Sequence, residues 1–189
     1  MPTTSFSSRV EAALAAVEQG VEPEKVVREL SWKEMEELVS AGCSRAGFKC
    51  VRDLRLSFGG KRIQADVVAA TPSLCLVIDC KRWRKSLSGQ VLSTTVIKSV
   101  ERTKIVADFL GSQYPGECLV FFAPLMISLY EPDKRIVAGV FVLSVNALTG
   151  LLRNSENLLA GTTIVKKLSP RWLGFFESYN LNQSRLKKV

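Results

Sequence analysis

The chain has 189 residues, of which 47% are hydrophobic, enough for one sizeable core and incompatible with global disorder. Lysine and arginine number 26 against 18 acidic residues, and the net charge of +8 favours a polyanionic partner, although many basic proteins bind no nucleic acid. Histidine is absent, which excludes histidine triads, histidine general bases and most zinc sites.

The five cysteines follow no zinc-binding spacing and indicate small buried side chains in a reducing compartment. No apolar run reaches the roughly 18 residues that a membrane span needs. Residues 1–8 lack the basic and apolar regions of a signal peptide. We therefore expect a cytoplasmic protein without membrane contact.

Three helices are predicted before any strand, and they span residues 6–19, 22–29 and 31–47. In the third helix, Ser31 and Glu34 have the spacing of a capping box, in which each side chain caps the other residue's backbone N–H. The buried stripe of this helix is predicted to contain Trp32, Met35, Leu38, Val39 and Gly42.

Five strands are predicted next, at residues 49–56, 62–70, 74–81, 117–123 and 136–145, with further helices at 89–110 and 146–159. The first three strands can form a meander, because a glycine turn at 59–60 and a break at Pro72 separate them. The apolar density of residues 74–81 is typical of a central strand. This order predicts an α/β domain with a mixed central sheet flanked by helices.

Two aspartates and a lysine stand out on the second and third of these strands. Side chains alternate along a strand, so Asp79 and Lys81 point the same way, and Asp66 can lie opposite them. Neighbouring carboxylates suit Mg²⁺ or Mn²⁺, and a lysine beside them can orient water or stabilise phosphate charge. An isolated Asp-x-Lys is more often a plain salt bridge, so the interpretation depends on Asp66 and on Glu36 in the preceding helix.

The pattern resembles the PD-(D/E)xK nuclease superfamily, which has the restriction-endonuclease-like fold, and within it the archaeal Holliday junction resolvases and Mrr-type restriction endonucleases. The resemblance covers residues 32–123. Its motifs are the helix with Glu36 before Gly47-Phe48, the strand Ala65-Asp66-Val67-Val68-Ala69, and the strand end Asp79-Cys80-Lys81. The sequence departs from the family where Ala65 replaces the signature proline and where Asp79 stands in place of the more usual glutamate.

The resemblance implies a Mg²⁺-dependent endodeoxyribonuclease. Its catalytic residues would be Glu36, Asp66, Asp79 and Lys81, and its metal ligands would be Asp66, Asp79 and the backbone carbonyl of Cys80. Lys81 would position the nucleophilic water, and Glu36 would complete the site, with Glu37 as the rival for that role. The implied domains are a helical extension at 1–30, the nuclease core at 31–145 and a basic, aromatic extension at 146–189. In this last segment we expect Trp172, Phe175, Phe176 and Tyr179 to pack against the core or a second subunit.

Three groups of residues are predicted to contact DNA: Lys61 and Arg62 at a hairpin tip, Arg82, Trp83, Arg84 and Lys85 after the third strand, and Lys98 and Arg102 on the following helix. Each group could instead be an ordinary solvated surface. We expect DNA as the partner and a homodimer if two strands are cut. A catalytically inactive nucleic-acid-binding protein of the same fold and an RNA-binding protein remain the alternatives.

Overall fold

A computed structural model describes residues 6–82 and 90–186, and within them one seven-stranded mixed sheet is covered by helices on both faces. The helices are α1 (Ser8–Glu18), α2 (Pro23–Arg28), α3 (Trp32–Arg45), α4 (Gln90–Gln113), α5 (Leu148–Arg153) and α6 (Gly174–Leu186). The strands are β1 (Lys49–Phe58), β2 (Lys61–Ala70), β3 (Leu74–Lys81), β4 (Pro115–Ser128), β5 (Ile136–Val137), β6 (Val140–Ser144) and β7 (Ile164–Leu168). The predicted α/β class with a mixed, helix-flanked sheet is confirmed.

The sheet has the strand order β1-β2-β3-β4-β6-β5. The meander of β1, β2 and β3 is confirmed as antiparallel, and positive φ angles at Gly59 and Gly60 make its first turn. β4 runs parallel to β3, and the second half of β4 runs parallel to β6. The first half of β4 pairs antiparallel with β7, so this one long strand joins the central sheet to the C-terminal segment.

The two faces of the sheet are buried by different helices. On one face, the core around Met35 and Ile78 is built from α1, α2, α3 and α5. On the other face, α4 and α6 cover a core that contains Phe122, Trp172 and Phe176. The aromatic residues of the C-terminal segment therefore pack against the core, one of the two alternatives that the sequence left open. None of the helices in the described part of the chain is long and apolar enough to cross a membrane.

Several predicted elements differ in the structure. The single strand expected at 136–145 is a hairpin of β5 and β6, because Ala138 and Gly139 both have positive φ angles and reverse the chain. The helix expected at 146–159 is reduced to α5 between two 3₁₀ turns. β7 and α6 were not predicted at all. The lysines of β7 looked like part of a basic tail, but Lys166 and Lys167 pair with Asp108 and Glu117.

The third helix begins as predicted but does not bury every residue of its predicted stripe. The capping box of Ser31 and Glu34 is formed in both directions. Trp32, however, is 38% exposed, because it lies in the first turn of α3, where its indole turns towards the end of β3. The expectation of buried cysteines is wrong for Cys118, which is exposed on β4, and for the half-buried Cys50.

Candidate functional site

β2 and β3 separate at the position of the two aspartates. The last backbone pair between the two strands is Val67 with Ile78. Beyond it the side chain of Asp66 replaces the backbone as the hydrogen-bond acceptor: its Oδ2 accepts a hydrogen bond of 2.8 Å from the backbone N–H of Cys80. On a strand, the N–H and C=O of one residue point to the same side. The carbonyl of Cys80 therefore also faces the gap that holds Asp66.

The strand β1 is irregular at the same level. Arg52 pairs with Val67 and Leu54 pairs with Ala65, but Asp53 between them has a φ of 49° and makes no regular pair with Asp66. As a result Ala65 and Val68, three residues apart on β2, both pack into the core beneath α4. A regular strand would place them on opposite faces. The chain thus twists at Asp66, where the sequence predicted uninterrupted alternation.

Asp79 is almost fully buried, with an exposed fraction of 2%, and two cations surround it. Lys81 Nζ donates a hydrogen bond of 2.8 Å to Asp79 Oδ1. The NH1 atom of Arg102, on α4, lies 3.2 Å from the same oxygen. A buried carboxylate is costly unless it is paired, and here the pairing is with two positive charges.

The surroundings of Asp66 raise the pKa of its carboxyl group. The pKa of Asp66 is raised to about 7, first by burial and then by the charge of Asp79, a hydrogen bond between the two carboxyl groups and the charge of Glu36, against the opposing hydrogen bond from Cys80. Asp66 therefore holds a proton close to neutral pH. Such a pair of crowded oxygen donors suits a hard divalent cation, whose charge removes the repulsion between the carboxylates.

A metal would be held by Asp66, Asp79 and the carbonyl of Cys80, as the family resemblance implied. Within residues 6–82 and 90–186, no group of three acidic or cysteine side chains is close enough together to bind one metal ion. Two of the three oxygen donors are nonetheless side chains in mutual contact, and the third is backbone. The donor set therefore fits Mg²⁺ or Mn²⁺ in kind, with water completing the shell.

Glu36 belongs to this site through Trp32, one helical turn before it. The indole N–H of Trp32 donates a hydrogen bond to the Glu36 carboxylate, and Lys81 Nζ lies 5.7 Å from the centroid of the indole ring. Burial raises the pKa of Glu36, although Trp32 acts in the opposite direction. The role of Trp32 was missed, but its spacing of four residues from Glu36 was a usable signal.

Glu37 has a different environment. Its Oε1 accepts a hydrogen bond of 2.6 Å from the backbone N–H of Ser7, and its Oε2 lies 3.2 Å from the guanidinium of Arg52. These contacts attach the start of α1 and a residue of β1 to α3. Of the two glutamates that could complete the site, Glu36 is therefore the one beside Asp66, whereas the contacts of Glu37 stabilise the packing of α1 and β1 against α3.

Four of the predicted DNA contacts line one cavity, which is linked to the aspartates through Arg102. A cavity of about 440 Å³ between the β1–β2 hairpin and α4 is lined by Lys61, Arg62, Lys98 and Arg102, together with Ile63, Gln64, Glu101 and Ile105. Lys61 is paired with Glu101. The cavity is thus predominantly cationic, and Arg102 reaches from its wall to Asp79.

Comparisons with known proteins leave the family open. No family model matches the chain, and no curated protein matches it. Two solved structures are similar in part. A protein of unknown function, AF1548, is 16% identical over 50% of this chain and 45% of its own, with a TM-score of 0.39. Protein VC1899 from Vibrio cholerae is 14% identical over 72% of this chain and 36% of its own, with a TM-score of 0.43. The chain thus spans less than half the length of either protein.

The remaining predicted contacts follow β3. The guanidinium of Arg82 donates a hydrogen bond of 2.6 Å to the backbone carbonyl of Arg28, the last residue of α2, and so caps that helix. Trp83, Arg84 and Lys85 lie outside the described residues.

The two glutamates are expected to respond differently to substitution. Glu37→Ala should lower the free energy of unfolding by about 1–3 kcal/mol, because the buried Glu37 carboxylate is the acceptor for the N–H of Ser7 and the partner of the Arg52 guanidinium. Glu36→Ala should change stability by less than about 1 kcal/mol, because its partner Trp32 is partly exposed and can reach water. Urea denaturation of both variants measures the difference, and equal losses would contradict the separation of roles.

Proposed function

We propose that this protein is a DNA endonuclease that hydrolyses phosphodiester bonds with Mg²⁺ or Mn²⁺. The observation that carries the proposal is the contact of the Asp66 and Asp79 carboxyl groups where β2 and β3 separate, with Lys81 bonded to Asp79. A divalent cation held by these aspartates and by the carbonyl of Cys80 would act as a Lewis acid on a phosphate oxygen.

The surrounding residues have roles that their positions support. The ammonium group of Lys81 is fixed 2.8 Å from Asp79 and next to the Trp32 ring, where it can orient the attacking water and stabilise negative charge on the phosphate. Glu36 is held by Trp32 and can accept a proton from water at the edge of the site, and burial, which raises its pKa, makes it a stronger base than an ordinary glutamate. The cationic cavity would hold the phosphates of the bound strand.

The proposal includes DNA as the partner, a homodimer when both strands are cut, and a cytoplasmic location. The net charge of +8 supports a polyanionic partner. Two strands of a duplex run in opposite directions, so two symmetry-related sites are the simplest way to cut both. A junction-resolving activity and an Mrr-like activity on duplex DNA are the two substrate classes that the sequence resemblance suggests.

A second candidate is a nucleic-acid-binding protein of the same fold without cleavage activity. It is favoured by the pairing of Asp79 with two cations, Lys81 and Arg102, in a site where the described residues form no ready cluster of three acidic or cysteine ligands. In such a protein, the lysine and arginine would neutralise Asp79 permanently. The two candidates differ in whether a divalent cation binds.

The proposal predicts DNA cleavage that depends on a divalent cation. Purified protein should cut at least one member of a panel of plain duplex, methylated duplex, flap and four-way junction DNA with Mg²⁺ or Mn²⁺, and none in EDTA. An RNA duplex in the same panel tests the RNA alternative. Asp66→Ala protein purified in parallel controls for contaminating nucleases. DNA binding without cleavage and without Mn²⁺ binding by calorimetry would favour the inactive candidate.

A further inference from the structure

Arg102 is in an unusual position for a residue expected to contact DNA. Its side chain is only 21% exposed, and its NH1 atom lies 3.2 Å from Asp79 Oδ1, the oxygen that also accepts the hydrogen bond from Lys81. Among the described residues, this buried NH1 has no hydrogen-bond partner of good geometry. The contact of Arg102 with Asp79 is therefore a charge contact, whereas that of Lys81 is a directed hydrogen bond.

Two cations that share one carboxylate oxygen compete there with any third cation. Like charges a few ångströms apart in a poorly solvated site repel strongly, so a divalent cation bound by Asp79 would weaken the hold on one of the resident cations. Lys81 is the better held of the two, by its hydrogen bond and by the adjacent Trp32 ring. Arg102 has the weaker contact of the two, and there is a second place in which its guanidinium can bind an anion.

That place is the cationic cavity between the β1–β2 hairpin and α4. Arg102 lines it along with Lys61, Arg62 and Lys98, so a short side-chain movement separates its position at Asp79 from the cavity. An anion in the cavity would meet several positive charges. A guanidinium can bind phosphate through two parallel hydrogen bonds, which a lysine cannot do.

We infer that Arg102 exchanges partners. It pairs with Asp79 in the metal-free protein, and it binds a phosphate of the nucleic acid in the cavity once a divalent cation occupies the Asp79 carboxylate. The inference rests on the proposed function, and it makes metal binding and phosphate binding mutually reinforcing, because the two equilibria share one arginine. Arg102 is then the residue that prevents firm phosphate binding until the metal is in place.

The exchange is tested first by Mn²⁺ titration calorimetry without DNA. Arg102→Met, which removes the competing cation, should bind Mn²⁺ roughly three- to tenfold more tightly than the unchanged protein. Lys104→Met is the matched control: it removes one positive charge from the same helix at an exposed position without a contact to Asp79. Its Mn²⁺ affinity should change by less than about twofold, because an exposed charge is screened by solvent.

The second measurement is single-turnover DNA cleavage at saturating Mn²⁺, where Arg102→Met should be at least about tenfold slower because its phosphate contact is lost. Tighter metal binding together with slower cleavage is not expected of a merely structural residue. Thermal unfolding checks the fold of each variant. Arg102→Gln, which keeps a hydrogen-bond donor for Asp79 without the charge, should give the same two shifts if Arg102→Met fails to fold.

The outcomes separate this inference from the proposed function. Unchanged Mn²⁺ affinity in both Arg102 variants would overturn the exchange while leaving the nuclease intact. Tighter Mn²⁺ binding with undiminished cleavage would also overturn it, because the arginine would then have no role at the phosphate. Absence of Mn²⁺ binding by every protein, including the unchanged one, would overturn both.

Discussion

Lys81→Ala is expected to slow metal-dependent DNA cleavage by at least about a hundredfold, the usual effect of removing one group that stabilises transition-state charge. The ammonium group of Lys81 is the cation best placed to act on the reacting phosphate, since it is held between Asp79 and the Trp32 ring. Asp66→Ala should have an effect at least as large, because it removes a metal ligand. Cleavage rates at saturating protein and Mg²⁺ measure both changes.

DNA binding should be nearly unaffected in the same variants, because most of the affinity of such proteins comes from cations along the phosphate backbone. Binding is measured in EDTA at a fixed salt concentration. Lys167→Ala is the matched control, since Lys167 is an exposed lysine on β7 that pairs with the exposed Glu117. Full cleavage activity in both Lys81→Ala and Asp66→Ala would contradict the assignment of the site.

Asp66→Asn is expected to stabilise the metal-free protein at pH 8 by about 1–3 kcal/mol, even though it removes a site residue. The asparagine keeps an acceptor for the N–H of Cys80 and removes the charge that burial and Asp79 disfavour. The pKa of about 7 in the folded protein, against an ordinary aspartate value near 4, corresponds to about 4 kcal/mol, which we reduce because Asp66 is only half-buried.

The pH dependence gives this prediction its sign. Between about pH 4 and pH 7 the folded protein holds a proton on Asp66 that the unfolded chain has lost, so stability falls as the pH rises through this window. The advantage of Asp66→Asn should therefore be full at pH 8 and nearly absent at pH 4. Denaturant titrations in EDTA at both pH values test it. Asp108→Asn, which loses the half-buried pair with Lys166, should show no such gain, and equal stabilities of unchanged and Asp66→Asn protein at pH 8 would refute the prediction.

Local patterns in the sequence predicted the centre of the fold well. The capping box at Ser31, the glycine turn at 59–60 and the apolar run of β3 are signals confined to a few neighbouring residues, and each element appeared where expected. β7 was not predictable in this way, because its place is determined by pairing with a strand far away in the sequence. The β5–β6 hairpin was missed because alanine is rarely found in its left-handed turn conformation.

The candidate site was predictable in its residues and less so in its geometry. The proximity of Asp66 to Asp79 and Lys81 follows from strand neighbours, and the structure brings them together. The irregular backbone at Asp53 lies against α6, where Tyr179 donates a hydrogen bond to the Asp53 carbonyl, and the burial of Arg102 against Asp79 depends on how α4 packs on the sheet. Such packing is a property of the whole chain, which no short motif contains.

The divided pairing of β4 has a consequence for how the protein is made. During synthesis β3, α4 and β4 emerge well before β7 and α6, so the edge of β4 is open, and the side chains of Val120 and Phe122 are covered only in part, until β7 and α6 arrive. An open strand edge beside apolar residues is a template for association between chains. The segment that contains β7 and α6 thus closes this exposed edge of the nascent chain, with Trp172 as its largest anchor in the core.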